Sequence, residues 1–267
     1  MQKILRNRLI VLLLGLMPLV FLACGKDEMA MGKAMQVVVT GYNGSGYALQ
    51  VSVDTSVYDV TVSNGSYIIK PASILQFYAV HRYDPKRKDM MLVITDTVTK
   101  AVVLSKPLPA AGSKAHFNFV YIDGKEIPSQ PPVPDPNTNK LGFYVRYMEG
   151  DEPFDIFLYR LDETTGQEHR VYFAKNVKAN GWVYGDFAGS EWFADKTMYD
   201  KAYVCFTKTG TTDQWAFRDS ENQSRLSAGG MLLPLLAERG VVQQFFVTPG
   251  EYGLEVSRMF FIPDRVR

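Results

Sequence analysis

Over most of the chain, apolar residues recur at every second position. Tyr47, Leu49, Val51 and Val53 alternate with Ala48, Gln50 and Ser52, and Phe117, Phe119 and Tyr121 alternate with His116, Asn118 and Val120. A period of two sends successive side chains to opposite faces, so each run predicts a strand with one face toward a core. Further β-rich runs cover 35–40, 57–62, 74–81, 90–95 and 101–104, punctuated by Asn43-Gly44, Asn64-Gly65 and Asp123-Gly124. Those residue pairs tolerate the positive φ that tight hairpins demand. The pattern resumes with Phe143, Val145 and Tyr147, then Phe154, Ile156 and Leu158, then Val171 and Phe173, and later over 203–207, 242–247 and 254–261. Two stretches depart from it. One is 189–196; the other, 227–239, reads as a short helix with Leu232, Leu235 and Leu236 on one side, limited by Pro234 to a turn or two.

Between the two sets of strands runs Pro-Ser-Gln-Pro-Pro-Val-Pro-Asp-Pro-Asn over 128–137, expected to be extended and semi-rigid. It divides the chain into a first unit at 33–127, a Pro-rich linker at 128–139 and a second unit at 140–267, each of common domain size. Many short strands with turn signals at this spacing indicate sandwiches. The expectation is an all-β fold: two β-sandwich domains, Ig-like or transthyretin-like, with a short helix in the second. Segments 36–53 and 142–161 both read as strand, glycine-containing turn, strand, and both halves end on an aromatic strand, which indicates a shared plan.

The first residues have a different character. Lys3, Arg6 and Arg8 precede an uncharged stretch from Leu9 to Ala23 that contains Pro18. That is a secretory signal layout, and the stretch falls short of the roughly 20 apolar residues a spanning helix needs. It closes on Leu22-Ala23-Cys24-Gly25, which resembles the bacterial lipobox. The resemblance implies a signal peptide at 1–23, a lipid on the Cys24 thiol and a tether at 24–32. More than one acyl chain, at about 0.8 kcal/mol per buried methylene, holds such a terminus stably on a membrane.

Composition narrows the chemistry. Hydrophobic residues make up 46% and aromatics 13%, enough for real cores, while 29 basic against 28 acidic side chains leave a net charge of +1. Nucleic acid is excluded as a partner, since phosphate neutralisation needs a basic footprint. With Cys24 lipidated, Cys205 has no disulfide partner, and it sits on the face of its run opposite Ala202, Val204 and Phe206 as a small buried residue. His81, His116 and His169 lie in separate strands without ligand spacing, so no metal, cofactor or catalytic set is expected, and the chain reads as a non-enzyme. The acidic turn at Glu149, Asp151, Glu152 and Asp155 lacks the longer cradle of a calcium loop. The basic run 82–88 reads as a charged hairpin loop.

The candidate binding residues are aromatic. Trp182, Tyr184 and Trp192 fall in a glycine- and polar-rich segment, 180–193, read as a loop, and Trp215 follows in the same unit. Rings on loops offer flat apolar faces for a sugar or a protein hot spot, with capping of the sandwich core as the competing reading.

Lys26-Asp27-Glu28 after the cysteine is similar to the surface-export signal of Bacteroidota lipoproteins, and the whole resembles the small lipoproteins of that phylum built from tandem β-sandwiches, often encoded beside starch-utilisation-type transport pairs. Asp96-Thr97-Val98 resembles the O-glycosylation motif of that phylum, with Thr97 as acceptor. The resemblance implies a lipid-anchored outer-membrane protein, exposed at the cell surface, whose partners are the membrane and a glycan or another surface protein. Two functions follow as expectations: a non-catalytic glycan-binding accessory of an uptake system, or a structural adhesin or pilus-type subunit or assembly accessory that engages proteins by strand addition.

Overall fold

A computed structural model describes residues 32–84 and 86–262. The leader, the lipidation site Cys24 and the tether up to residue 31 lie outside the described residues.

The first unit contains β1 (Lys33–Gly44), β2 (Leu49–Val53), β3 (Ser56–Tyr58), β4 (Ser73–Tyr83), β5 (Met91–Asp96), β6 (Val102–Pro107), β7 (Lys114–Ile122) and β8 (Lys125–Glu126). They form two sheets, ordered β4-β1-β7-β8 and β3-β2-β5-β6. The second contains β9 (Asn139–Val145), β10 (Phe154–Leu161), β11 (Glu168–Val177), β12 (Trp182–Phe187), β13 (Ala202–Lys208), β14 (Arg225–Ser227), β15 (Val242–Pro249) and β16 (Leu254–Ile262). Its sheets run β12-β9-β15-β16 and β11-β10-β13-β14. Adding eight to every strand number of the first unit reproduces the second. The match extends to direction, because β1 pairs with β7 in parallel and β9 with β15 in parallel, whereas the other ladders are antiparallel. Among the described residues, no strand of one unit pairs with a strand of the other.

Alternation builds each core. In the first unit Met35, Val37 and Val39 of β1, Leu75 and Phe77 of β4, Leu49 and Val51 of β2, and Leu92 and Ile94 of β5 are buried together between the sheets. In the second, Leu141 and Phe143 meet Ile156, Leu158, Val204, Phe206 and Phe245. This is the all-β sandwich architecture that the period of two predicts.

Several local expectations differ from what forms. The run 57–62 yields only the short β3, and the chain then enters a 3-10 turn at Val62–Gly65 where Ser63 and Asn64 have positive φ. Asn43-Gly44 is no hairpin turn. Both residues remain in β1, and the buried Asn43 amide donates to the carbonyls of Tyr47 and Lys70. Asp123-Gly124 does turn tightly, with φ of 50° and 77°, and joins β7 to β8. No helix forms over 227–239, because Leu232 takes a left-handed φ of 57° after a single 3-10 turn at Gly229–Met231, and Pro234 follows. The second unit's short helices lie instead at Lys196–Asp200, capped by the Asp195 carboxylate on the Met198 amide, and at Glu221–Ser224.

The Pro-rich stretch carries no regular element before Asn139, and it is held against the second unit. The carbonyl of Pro128 accepts from the Trp182 indole at 3.2 Å, and the Ser129 hydroxyl donates to Gln244 at 2.5 Å. Beside it the outer faces of two sheets meet. Phe246 stacks on Tyr42 of the first unit at 4.5 Å and on Tyr144 at 5.6 Å, in a cluster with Val120, Ile122 and Met259. Arg146 lies over the Tyr42 ring and donates to its hydroxyl at 3.2 Å. Burial pushes the Tyr42 phenol up, against the opposing pull of Arg146.

Candidate binding cleft

Strand β10 reads Phe-Asp-Ile-Phe-Leu-Tyr-Arg-Leu, and both of its faces are covered over the first five residues. Phe154, Ile156 and Leu158 enter the core. Phe157 and Tyr159 therefore stand on the outer face, where they pair across the sheet with Cys205 and Tyr203 of β13. Tyr159 also faces Arg170 of β11, and Cys205 faces Arg225 of β14.

The chain after β13 folds back over this outer face. The Thr207 hydroxyl donates to the Thr211 carbonyl at 2.8 Å, Trp215 forms a bridge with Thr207, and the Ala216 amide returns to the Phe206 carbonyl. Phe157 and Cys205 are thereby only 1% and 2% exposed despite pointing away from the core. They floor a cleft of about 430 Å³, walled by Tyr159 and Trp215 and rimmed by Thr212, Asp213, Glu168, Arg170, Glu221 and Arg225.

Both arginines of the rim pair with a carboxylate of the rim. The Arg170 guanidinium lies 5.2 Å over the Tyr159 ring and bonds Glu168 at 2.5 Å, while the Tyr159 hydroxyl donates to the other Glu168 oxygen at 3.2 Å. Arg225 lies 4.2 Å over the Tyr203 ring and pairs with Glu221 one helical turn earlier. Each cation is fixed from two sides, by an aromatic face and by a carboxylate. Burial, then Glu168, raises the Tyr159 phenol, and burial pushes the Cys205 thiol up to about 12 in spite of the nearby arginines. That thiol is protonated at physiological pH and is no nucleophile.

The sequence-predicted rings do not converge. Trp182 and Tyr184 belong to strand β12 and not to a loop; they stack on each other at 5.9 Å. Trp182 stands edge-on to Tyr144 in the contact between the units, and the Tyr184 hydroxyl accepts from Gln244 at 2.6 Å. Gly185, which helped to make this stretch resemble a loop, is needed because a Cβ there would stand 1.9 Å from the Phe173 carbonyl oxygen of β11. Trp192 is 38% exposed and stacks on the buried His169 ring at 3.8 Å, beside the buried Phe193, so it caps one end of the core. Trp215 alone of the four lines the cleft. Thr97 sits in the turn after β5 with its hydroxyl bonded to the Ala48 carbonyl at 3.0 Å.

Sequence reasoning missed Phe157, Tyr159, Arg170 and Arg225. The available signal was the near-continuous apolar run of β10, which marks a strand covered on both faces. It also missed the partners of the histidines: His81 lies 3.8 Å from Asp54, which Arg87 holds at 2.7 Å, and His116 bonds the Thr40 hydroxyl at 2.9 Å. Among the described residues no three His, Cys, Asp or Glu side chains gather as a metal-ligand group, and no helix is long and apolar enough to cross a membrane. A larger cavity of about 470 Å³ lies where 66–76 of the first unit meets Glu255 and Val256 of the second. Among the described residues Tyr67 is the one aromatic side chain that lines it and no arginine does, so the cleft is the better-built site.

No protein-family model and no curated protein matches the chain. Among solved structures, it is similar to the crystal structure of a candidate cell adhesion protein from Bacteroides uniformis, with 12% identity over 84% of this chain and 96% of that one and a TM-score of 0.27. A likeness that low assigns neither family nor function.

Proposed function

We propose that the chain is an outer-membrane lipoprotein, anchored through Cys24 and exposed at the cell surface, that binds glycan in the cleft around Trp215 without transforming it. The observation that carries the reading is the pairing of the Trp215 and Tyr159 walls with two fixed Arg–carboxylate pairs around a closed floor. Aromatic faces suit the apolar face of a sugar ring, and adjacent donors and acceptors suit its hydroxyls. A non-catalytic role agrees with Glu168 and Glu221 both being committed to arginine, since glycoside hydrolysis needs one carboxyl that holds a proton. A glycan array probed with the full chain in detergent tests this. Binding is expected, lost in Trp215→Ala and kept in Trp192→Ala; no binding across the array overturns it.

A second reading, a structural adhesin or pilus-type subunit, is favoured by one feature. Strand β4 is an edge strand of eleven residues, in unbroken register with β1, without proline, and with Tyr78 and Val80 exposed. Such an edge is a template for another strand. Native protein in high-molecular-weight assemblies that Val80→Lys disperses would favour this reading over the first.

A further inference from the structure

The two units provide an internal control for what the cleft is. Position for position, β2 and β5 of the first unit correspond to β10 and β13 of the second. The outward residues of β2 and β5 are Gln50, Ser52, Met91, Val93 and Thr95, all half-buried in the ordinary way of a sheet surface. Those of β10 and β13 include Phe157, Tyr159, Tyr203 and Cys205, and the fold-back through Trp215 occurs in this unit. The same scaffold therefore carries a recessed, aromatic, charge-studded face in one copy and a plain one in the other.

Resting on the carbohydrate reading above, and narrowing it, we infer that the cleft selects an uncharged sugar and excludes uronic and other acidic sugars. Three carboxylates, Glu168, Glu221 and Asp213, border it against two guanidiniums, Arg170 and Arg225, so the lining carries an excess of negative charge. The charge of each guanidinium is already offset by a carboxylate of the same rim. Arg170 is engaged by Glu168 and Tyr159, and Arg225 by Glu221 and Tyr203. A carboxylate on the ligand would face Glu168, Glu221 and Asp213 in a partly desolvated recess with no uncompensated positive charge to offset the repulsion. A hydroxyl meets no such repulsion, because it donates to the acidic oxygens and accepts from a guanidinium in place.

The test is a titration of the full chain in detergent with maltohexaose, cellohexaose and xylohexaose, and with the acidic hexagalacturonate and a hyaluronan hexasaccharide. At least one neutral oligosaccharide is expected to bind, to lose about tenfold or more in Trp215→Ala, and to be kept by Trp215→Phe, with circular dichroism confirming the fold of each variant. The acidic sugars are expected to bind at least about tenfold more weakly, a gap that narrows when Glu168→Gln and Glu221→Gln are combined. Acidic sugars bound as tightly as neutral ones, and still dependent on Trp215, overturn the selectivity while leaving the carbohydrate reading in place. Absence of Trp215-dependent binding by either class overturns that reading and the selectivity together.

Discussion

Two neighbouring residues of β15 separate the cohesion between the units from the cohesion within one. Phe245 and Phe246 are both fully buried, but they point to opposite faces of the strand. Phe245 stacks on Phe143 inside the second sandwich, and Phe246 reaches outward to Tyr42 and Tyr144 in the contact between units. Truncating a buried phenylalanine to alanine costs about 3–5 kcal/mol, which includes the roughly 0.5–1.5 kcal/mol of each ring pair. Phe245→Ala is expected to lower the stability of the second unit by that amount while the linker stays covered. Phe246→Ala is expected to lose a similar amount from the contact between units, splitting the calorimetric transition in two and exposing 128–138 to faster proteolysis. A Phe246→Ala chain that stays within about 1 kcal/mol of the parent, melts once and keeps its linker protected would refute the view that this cluster joins the units.

Other outcomes are as definite. The Cys205 thiol, raised to about 12 by burial, is expected to resist thiol reagents at pH 8 in a Cys24→Ser background until the chain is denatured; rapid native labelling would contradict the closed cleft floor. The Arg218 side chain holds the Glu149 carboxyl below its ordinary value, so this pair stabilises the fold above the unfolded carboxyl's value and stops doing so as pH falls through the lower folded value. Glu149→Gln is therefore expected to be less stable than the parent at pH 7, with the gap closing below about pH 4, and a gap constant with pH would refute the assignment. Metabolic labelling with a radioactive fatty acid is expected to mark the parent chain and not Cys24→Ser; an unlabelled parent would remove the anchor from the proposal.

The sandwich class was legible because alternation is a local property: each strand declares its buried face in Met35-Val37-Val39 or Phe154-Ile156-Leu158 without reference to the rest. Positions whose role is set by a distant backbone were not. Gly185 reads as flexibility in sequence, yet it marks a close approach of β12 to the Phe173 carbonyl. Asn43-Gly44 reads as a turn, yet Asn43 is a buried strand residue that bonds the carbonyls of Tyr47 and Lys70. The helix expected around Leu232, Leu235 and Leu236 depended on spacing alone, and a left-handed residue two positions before a proline overrode it. For the site, aromatic composition drew attention to the second unit, and of its four singled-out rings Trp215 lines the cleft. Composition could not distinguish a ring lining a cleft from Trp182 in the contact between the units or Trp192 over His169, because that distinction rests on which strands lie side by side.

The most direct measurement is a crystal structure of the chain soaked with the tightest-binding neutral oligosaccharide. The sugar is expected against Trp215, with ring oxygens or hydroxyls within hydrogen-bonding distance of Arg170 and Glu221. Sugar density at the Trp182–Tyr184 stack, at Trp192 or in the cavity between the units, with the Trp215 cleft empty, would contradict the assignment of the site.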